Sequence, residues 1–220
     1  LGQIRTGAVA GMATRYLARP EAHSVGIIGT GWEARAQISA MSVVRDITSV
    51  KAYSRSAENR QAFADDILAT HGITVTPVET AEEATRDVDI FITITGANDP
   101  LVDGAWLAPG AHINAVGATT PGRRELDVES VRRSDIVVVE QLEQAKADAA
   151  ELFTAAEAGA LDWDNVVLLS DLTVGRTIDR TSATITQFNS LGVATEDLAA
   201  AAYVVEQAVA QGIGVELPFA

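Results

Sequence analysis

The stretch VGIIGTGWEARAQI, Val25 to Ile38, constrains this chain more than any other. Val25–Ile28 is a short, β-branched apolar run of the kind that forms a buried parallel strand. Gly29, Gly31 and Ala34 follow in the spacing G-x-G-x-x-A, and from Arg35 the pattern reads as helix. Each small residue has a task if the loop grips a dinucleotide. Gly29 permits the tight turn, Gly31 lets bare main chain approach a pyrophosphate, and Ala34 lets the helix lie close on the strand. The helix N-terminus, with Trp32 and Glu33 in its first turn, adds free N–H groups and a partial positive charge. The same spacing also occurs in tight turns that hold nothing, so context decides, and here the motif sits at a strand-to-helix junction. Trp32 either packs near the pyrophosphate or shields the start of the helix.

The rest of the chain supplies that context. Strands are predicted at Ser24–Ile28, Ile47–Tyr53, Thr74–Val78, Ile90–Thr95, Ala111–Val116, Ile136–Val139 and Val166–Leu169, with helices between them. Ser56 should cap a helix whose Phe63, Ile67 and Leu68 face inward and which ends at Gly72; T-x-x-E from Thr80 should open a short one. This alternation predicts an α/β fold with a Rossmann-type, doubly wound, mostly parallel sheet. The rhythm is expected to stop after Arg180, leaving Thr195–Gly212 as a long helix with Leu198, Ala202, Val205 and Val209 on one face. The first helix, from Leu1 to about Pro20, places Ile4, Ala8, Met12 and Leu17 near one face and has no capping residue before it. It is expected to be entered part-way, in a chain lacking N-terminal sequence.

Composition narrows the function classes. Thirty Asp and Glu against sixteen Lys and Arg give a net charge of −14, which disfavours nucleic acid and anionic membranes as partners. Such a surface suits either work at high salt or ordinary acidic solubility. The absence of cysteine excludes disulfides and thiolate metal sites and is compatible with a cytoplasmic protein. No two histidines stand at metal-ligand spacing, so no metal is expected. His112, inside an apolar strand, reads as a satisfied core histidine rather than a catalytic one.

Ligands in this architecture bind beyond the carboxyl ends of the strands. After the second strand, where a carboxylate would select NAD by holding its ribose diol, the chain has Ser54, Arg55 and Ser56. Two hydroxyls and a guanidinium suit a 2′-phosphate, which favours NADP over NAD, unless Ser56 merely caps its helix and Arg55 is solvated. Thr95, Gly96, Val116 and Gly117 would line the nicotinamide side, or form ordinary strand-end turns.

IRTGAVAG (Ile4–Gly11), GIIGTGWEARAQ (Gly26–Gln37), PGAHINAVGATTPGRRELD (Pro109–Asp127) and FNSLGVATEDLAAA (Phe188–Ala201) together resemble the ornithine cyclodeaminase/mu-crystallin family, which also contains an archaeal type of alanine dehydrogenase and ketimine reductases. The resemblance implies a two-domain subunit forming a homodimer or higher homo-oligomer. It assigns residues 1–20 to a truncated substrate and dimerisation domain, 21–180 to the dinucleotide-binding domain and 181–220 to a return into the first. It also implies that Arg5 lies near cofactor and substrate carboxylate, Thr6 near the pyrophosphate, and Ser190 and Leu191 by nicotinamide and substrate. Without it, Arg5 would read as a surface ion pair. The family's active-site lysine belongs to sequence absent here, and neither Lys51 nor Lys146 matches it.

Where ornithine cyclodeaminases carry an aspartate after the NAVG motif, this chain has Thr119, which has no basicity to activate water. Arg123 matches a basic residue of the same loop, a role Arg124 can also fill. The expectation is therefore NAD(P)-dependent hydride transfer to or from the Cα of a small imino or amino acid. The alternatives are ornithine cyclodeaminase and a non-catalytic, crystallin-like NADPH binder.

Overall fold

The structure, a computed structural model, describes residues 1–215 and 217; the last residues of the 181–220 segment therefore lie partly outside it. Among the described residues, one sheet of eight parallel strands has the order β3-β2-β1-β4-β5-β8-β6-β7. The strands are β1 (Ser24–Ile28), β2 (Ser49–Tyr53), β3 (Val75–Pro77), β4 (Ile90–Thr93), β5 (His112–Ala115), β6 (Ile136–Val139), β7 (Val167–Leu168) and β8 (Thr186–Asn189). β1 lies between β2 and β4, with Val25 opposite Val50 on one side and Ile90 on the other. The chain leaves β1 toward β2 and β3, then returns to β4 on the far side, and this reversal opens a crevice at the carboxyl ends.

The helices that position the crevice are α1 (Gly2–Leu17), α2 (Trp32–Val44) and α3 (Ala57–His71). Ser56 Oγ accepts Asn59 N–H to start α3, and Gly72, at φ 67°, ends it. Thr80 starts α4 (Ala81–Thr85) by accepting Glu83 N–H. After α5 (Val128–Arg132), the alanine-rich stretch forms α6 (Leu142–Asp148) and α7 (Ala150–Glu157). α8 (Leu169–Thr173) and α9 (Ala194–Gln211) complete the set.

Three expectations need correction. The strand rhythm does not stop at Arg180: β8 enters the middle of the sheet, between β5 and β6. Its side chains are polar, and burial is compensated by partners far away in sequence. Thr186 Oγ1 donates to Leu17 O, and Ser134 Oγ donates to Gln187 Oε1. Second, Ile4 and Met12 are exposed, and α1 turns inward a face of Thr6, Gly7, Ala10, Gly11 and Thr14, besides Leu17. The reason is proximity to α2: a Cβ at Gly7 would stand 2.6 Å from Ala36 O, so small residues and not bulky ones make this contact. Third, Leu68 on α3 is exposed while Phe63 and Ile67 are buried.

The C-terminus of α1 is held by guanidinium groups. Arg45 donates to Ala18 O and Arg19 O at 2.7 and 2.8 Å, and Arg180 donates to Leu17 O. Cations at a helix C-terminus satisfy its orphan carbonyls and oppose its dipole. That fixes α1 along α2 and delivers Arg5 and Thr6 to the crevice.

Candidate functional site

The loop leaving β1 is built by the backbone. Gly29 N–H donates to Tyr53 O and Ile94 N–H to Ile28 O, so the ends of β2 and β4 close on it. Gly29 has φ 109°, and a Cβ there would lie 2.3 Å from Ile94 O, which leaves glycine as the residue that fits. Gly31 is the N-cap of α2 at φ −75°, and no side chain caps that helix. The first N–H groups of α2 therefore face outward with no side-chain acceptor. A Cβ at Gly31 would meet nothing within 4 Å. Arg35 fastens the loop from behind, donating to Gly31 O at 3.0 Å and pairing with Asp66.

Two cavities meet over this loop and share Ile94, Thr95 and Gly96. One, of about 790 Å³, runs from Gly29 and Gly31 to Ser54, Arg55 and Ser56. The other, of about 410 Å³, is lined by Arg5, Thr6, Glu33, Val116, Gly117, Thr119, Arg123, Ser190 and Leu191. The structure thus gathers most of the residues singled out from the sequence. Trp32 and Ala34 line neither cavity. Trp32 is 73% exposed, with its carbonyl accepting from Gln3, and Ala34 is buried in the core under α2. At the end of β2, Ser54 Oγ accepts from Thr30 Oγ1 and Ser56 is the cap of α3. Arg55 is exposed and makes no ion pair among the described residues. The open ground at Gly31, the uncapped α2 and a carboxylate-free β2 end together fit a dinucleotide with its pyrophosphate on the helix.

Arg5 is already engaged: its guanidinium pairs with Glu196 at 3.3 Å and Asp197 at 3.1 Å, both in the first turn of α9. Burial, and next the charge of Glu140, push the Glu196 carboxyl up to about 7, against the attraction of Arg5. Ser190 Oγ and Leu191 N–H both donate to Glu140, which anchors the loop after β8 to the end of β6.

Carboxylates that the sequence reading passed over brace the site from beneath. Glu125, fully buried, accepts Thr95 N–H at 2.6 Å and Gly117 N–H at 2.8 Å. Glu151 on α7 accepts Glu125 N–H at 2.7 Å, Leu126 N–H at 3.0 Å and Asn189 Nδ2 at 2.8 Å. Burial raises both carboxyls, Glu151 up to about 7 with help from the Glu125 charge. Nothing in the local sequence marks them, because their partners are main-chain groups distant along the chain. His112 is buried with Nδ1 3.0 Å from Thr186 Oγ1, and burial lowers it to about 3, so it stays neutral and outside both cavities. Among the described residues no cluster of His, Asp or Glu could hold a metal, and no helix is long and apolar enough to cross a membrane.

The chain is similar to known proteins along nearly its whole length. The model of the ornithine cyclodeaminase/mu-crystallin family matches residues 1–212. An alanine dehydrogenase of Archaeoglobus fulgidus is 38% identical over 224 residues, covering 98% of this chain and 66% of the relative. The solved Δ1-pyrroline-2-carboxylate reductase of Thermococcus litoralis, in complex with NADH and L-proline, is 36% identical with a TM-score of 0.94, over 98% of this chain and 67% of that one. An archaeal alanine dehydrogenase dimer with bound NAD is 35% identical with a TM-score of 0.90, over 99% and 67%. The chain spans about two thirds of the length of these relatives.

Proposed function

Because the chain belongs to the ornithine cyclodeaminase/mu-crystallin family, we propose that it carries the cofactor-binding part of an NAD(P)-dependent oxidoreductase acting at the Cα of a small imino or amino acid. The observation that carries this reading is the continuity of the uncapped α2 N-terminus with the cavity that ends at Ser190 and Leu191. When bound, the nicotinamide cofactor supplies the hydride or accepts it.

The chain's own residues bind, orient and exclude. Main chain at Gly29–Gly31 and the N–H groups of α2 receive the pyrophosphate. Ser54, Arg55 and Ser56 receive the adenosine ribose, and the Arg55 guanidinium, without an ion pair among the described residues, supports NADP. Against that, Ser56 Oγ caps α3, Ser54 Oγ is engaged by Thr30, and the two solved relatives hold NADH and NAD. Gly96, whose missing Cβ would meet nothing within 4 Å, leaves room for a flat ring, beside Thr95, Val116 and Gly117. Arg5 has further N–H groups to offer a substrate carboxylate while Glu196 and Asp197 hold its orientation. Alignment of donor and acceptor carbons is the main service such a site performs.

Thr119 favours hydride transfer over cyclodeamination. It stands on the cavity wall and cannot act as a general base at neutral pH, so attack of water on an imine has no helper at this position. A domain division near residue 20, and a dimer like that of the archaeal relative, belong to the same proposal, with the C-terminal boundary placed after β8 and not at residue 180, since β8 is a central strand of the sheet.

The test uses full-length protein with NADH or NADPH, small cyclic imino acids in one direction, and alanine or proline in the other. Reversible cofactor turnover is expected. Formation of proline and ammonia from ornithine, without net cofactor turnover, would make it a cyclodeaminase. Tight cofactor binding with no turnover on any of these substrates would make it a crystallin-like binder.

A further inference from the structure

We propose that Glu125 is a positioning residue for the reacting end of this cofactor subsite, clamping the loops after β4 and β5 so that they form one wall of the 410 Å³ cavity. The inference rests on the reading of that cavity as the nicotinamide side.

A buried carboxylate is expensive, and among the described residues no cation pairs with this one. What it has instead is a matched pair of donors. Thr95 N–H, just past β4, and Gly117 N–H, just past β5, point at the two oxygens of one side chain. An apolar residue here would strand both N–H groups, and a group with a single acceptor would satisfy one of them. The two loops are in main-chain contact at this point: a Cβ at Gly117 would lie 2.3 Å from Thr95 O, 2.4 Å from Thr95 N and 2.7 Å from Glu125 Oε1.

Glu125 is held in turn by Glu151, which accepts the N–H groups of Glu125 and Leu126 through one oxygen and the Asn189 amide through the other. Two carboxylates in series therefore tie together the ends of β4, β5 and β8. The residues immediately beyond those ends, Thr95–Gly96, Gly117 and Ser190, face the cavity, while neither carboxylate lines it. The arrangement shapes the ring-binding end, and neither carboxylate hydrogen-bonds to the pyrophosphate loop, Gly29–Gly31.

That separation supplies the test. In full-length protein, Glu125→Gln has the same shape, but its amide nitrogen must face one of the two N–H donors. Binding of ADP-ribose, which lacks nicotinamide, should stay within about twofold of wild type, whereas NADH or NADPH binds about tenfold more weakly. Glu125→Asp, with its charge intact but one methylene less reach, should give the same split; thermal melts of both variants report on folding. Equal losses for ADP-ribose and the whole cofactor, or no loss for either, would overturn the assignment. If wild-type protein binds neither compound, the cofactor reading itself has failed, and that outcome is distinct from a wild type that binds both.

Discussion

Replacing Gly31 by valine separates the folding of the β1–α2 loop from its use. The residue has φ −75°, a conformation open to any L-amino acid, and its missing Cβ has no neighbour within 4 Å. The protein without cofactor should accept valine almost silently. A poorer N-cap residue than glycine costs about 0.5–1 kcal/mol, a shift of about 1–4 °C in melting temperature for a chain of this size. The isopropyl group would occupy the ground where phosphate oxygens approach the main chain. Two lost hydrogen bonds to a charged group cost about 1.5–3 kcal/mol each, so NADH and NADPH affinity should both fall by about 10²–10⁴-fold. Fluorescence titration with the reduced cofactor, paired with a thermal melt, reads both quantities on one sample. Gly29→Val is the contrasting control. At φ 109°, with Ile94 O 2.3 Å from the new Cβ, it should unfold the loop and lower stability whether or not a ligand is present. A Gly31→Val protein that binds cofactor within about threefold of wild type would refute the idea that bare main chain at this position receives the pyrophosphate.

Two further outcomes follow from single side chains. Arg55→Ala should weaken NADPH binding by about 1–3 kcal/mol and leave NADH nearly unchanged, and equal losses in the two titrations would remove the 2′-phosphate assignment. Glu151 has a folded pKa raised from 4.5 to about 7, so the stability linked to its proton is fully present below about pH 4.5 and is lost as pH rises toward 7. Up to about 3 kcal/mol is at stake, and denaturant titrations at several pH values should find a flatter profile in Glu151→Gln.

The β1–α2 junction was legible because each of its requirements is local. A β-branched run, two glycines and an alanine state the turn, the approach and the close packing within a few residues. The same is true of the Ser56 and Thr80 caps. β8 was not legible, since Thr186, Gln187 and Asn189 carry no apolar alternation; their burial is made tolerable by Leu17, Ser134 and Glu151, which hydropathy cannot see. Glu125 and Glu151 escaped for a related reason. Glutamate is read as a surface residue by default, and the main-chain donors that draw these two inward lie 8 to 30 residues away from Glu125 and 25 or 26 from Glu151. The inner face of α1 misled in the opposite direction, because a helix pressed against another is marked by its small residues and not by Ile4 or Met12.

The position of β8 bears on how the molecule is made. During synthesis β5 and β6 emerge long before the strand that must lie between them, so the β6–β7 pair has no seat on the growing sheet until Asn189 has left the ribosome. Until β8 is inserted, β5 and β6 each present an unpaired edge, a geometry that invites pairing with a neighbouring chain and slows closure through its long loop. Chaperone dependence, or a late kinetic phase in refolding, would have its origin in that gap.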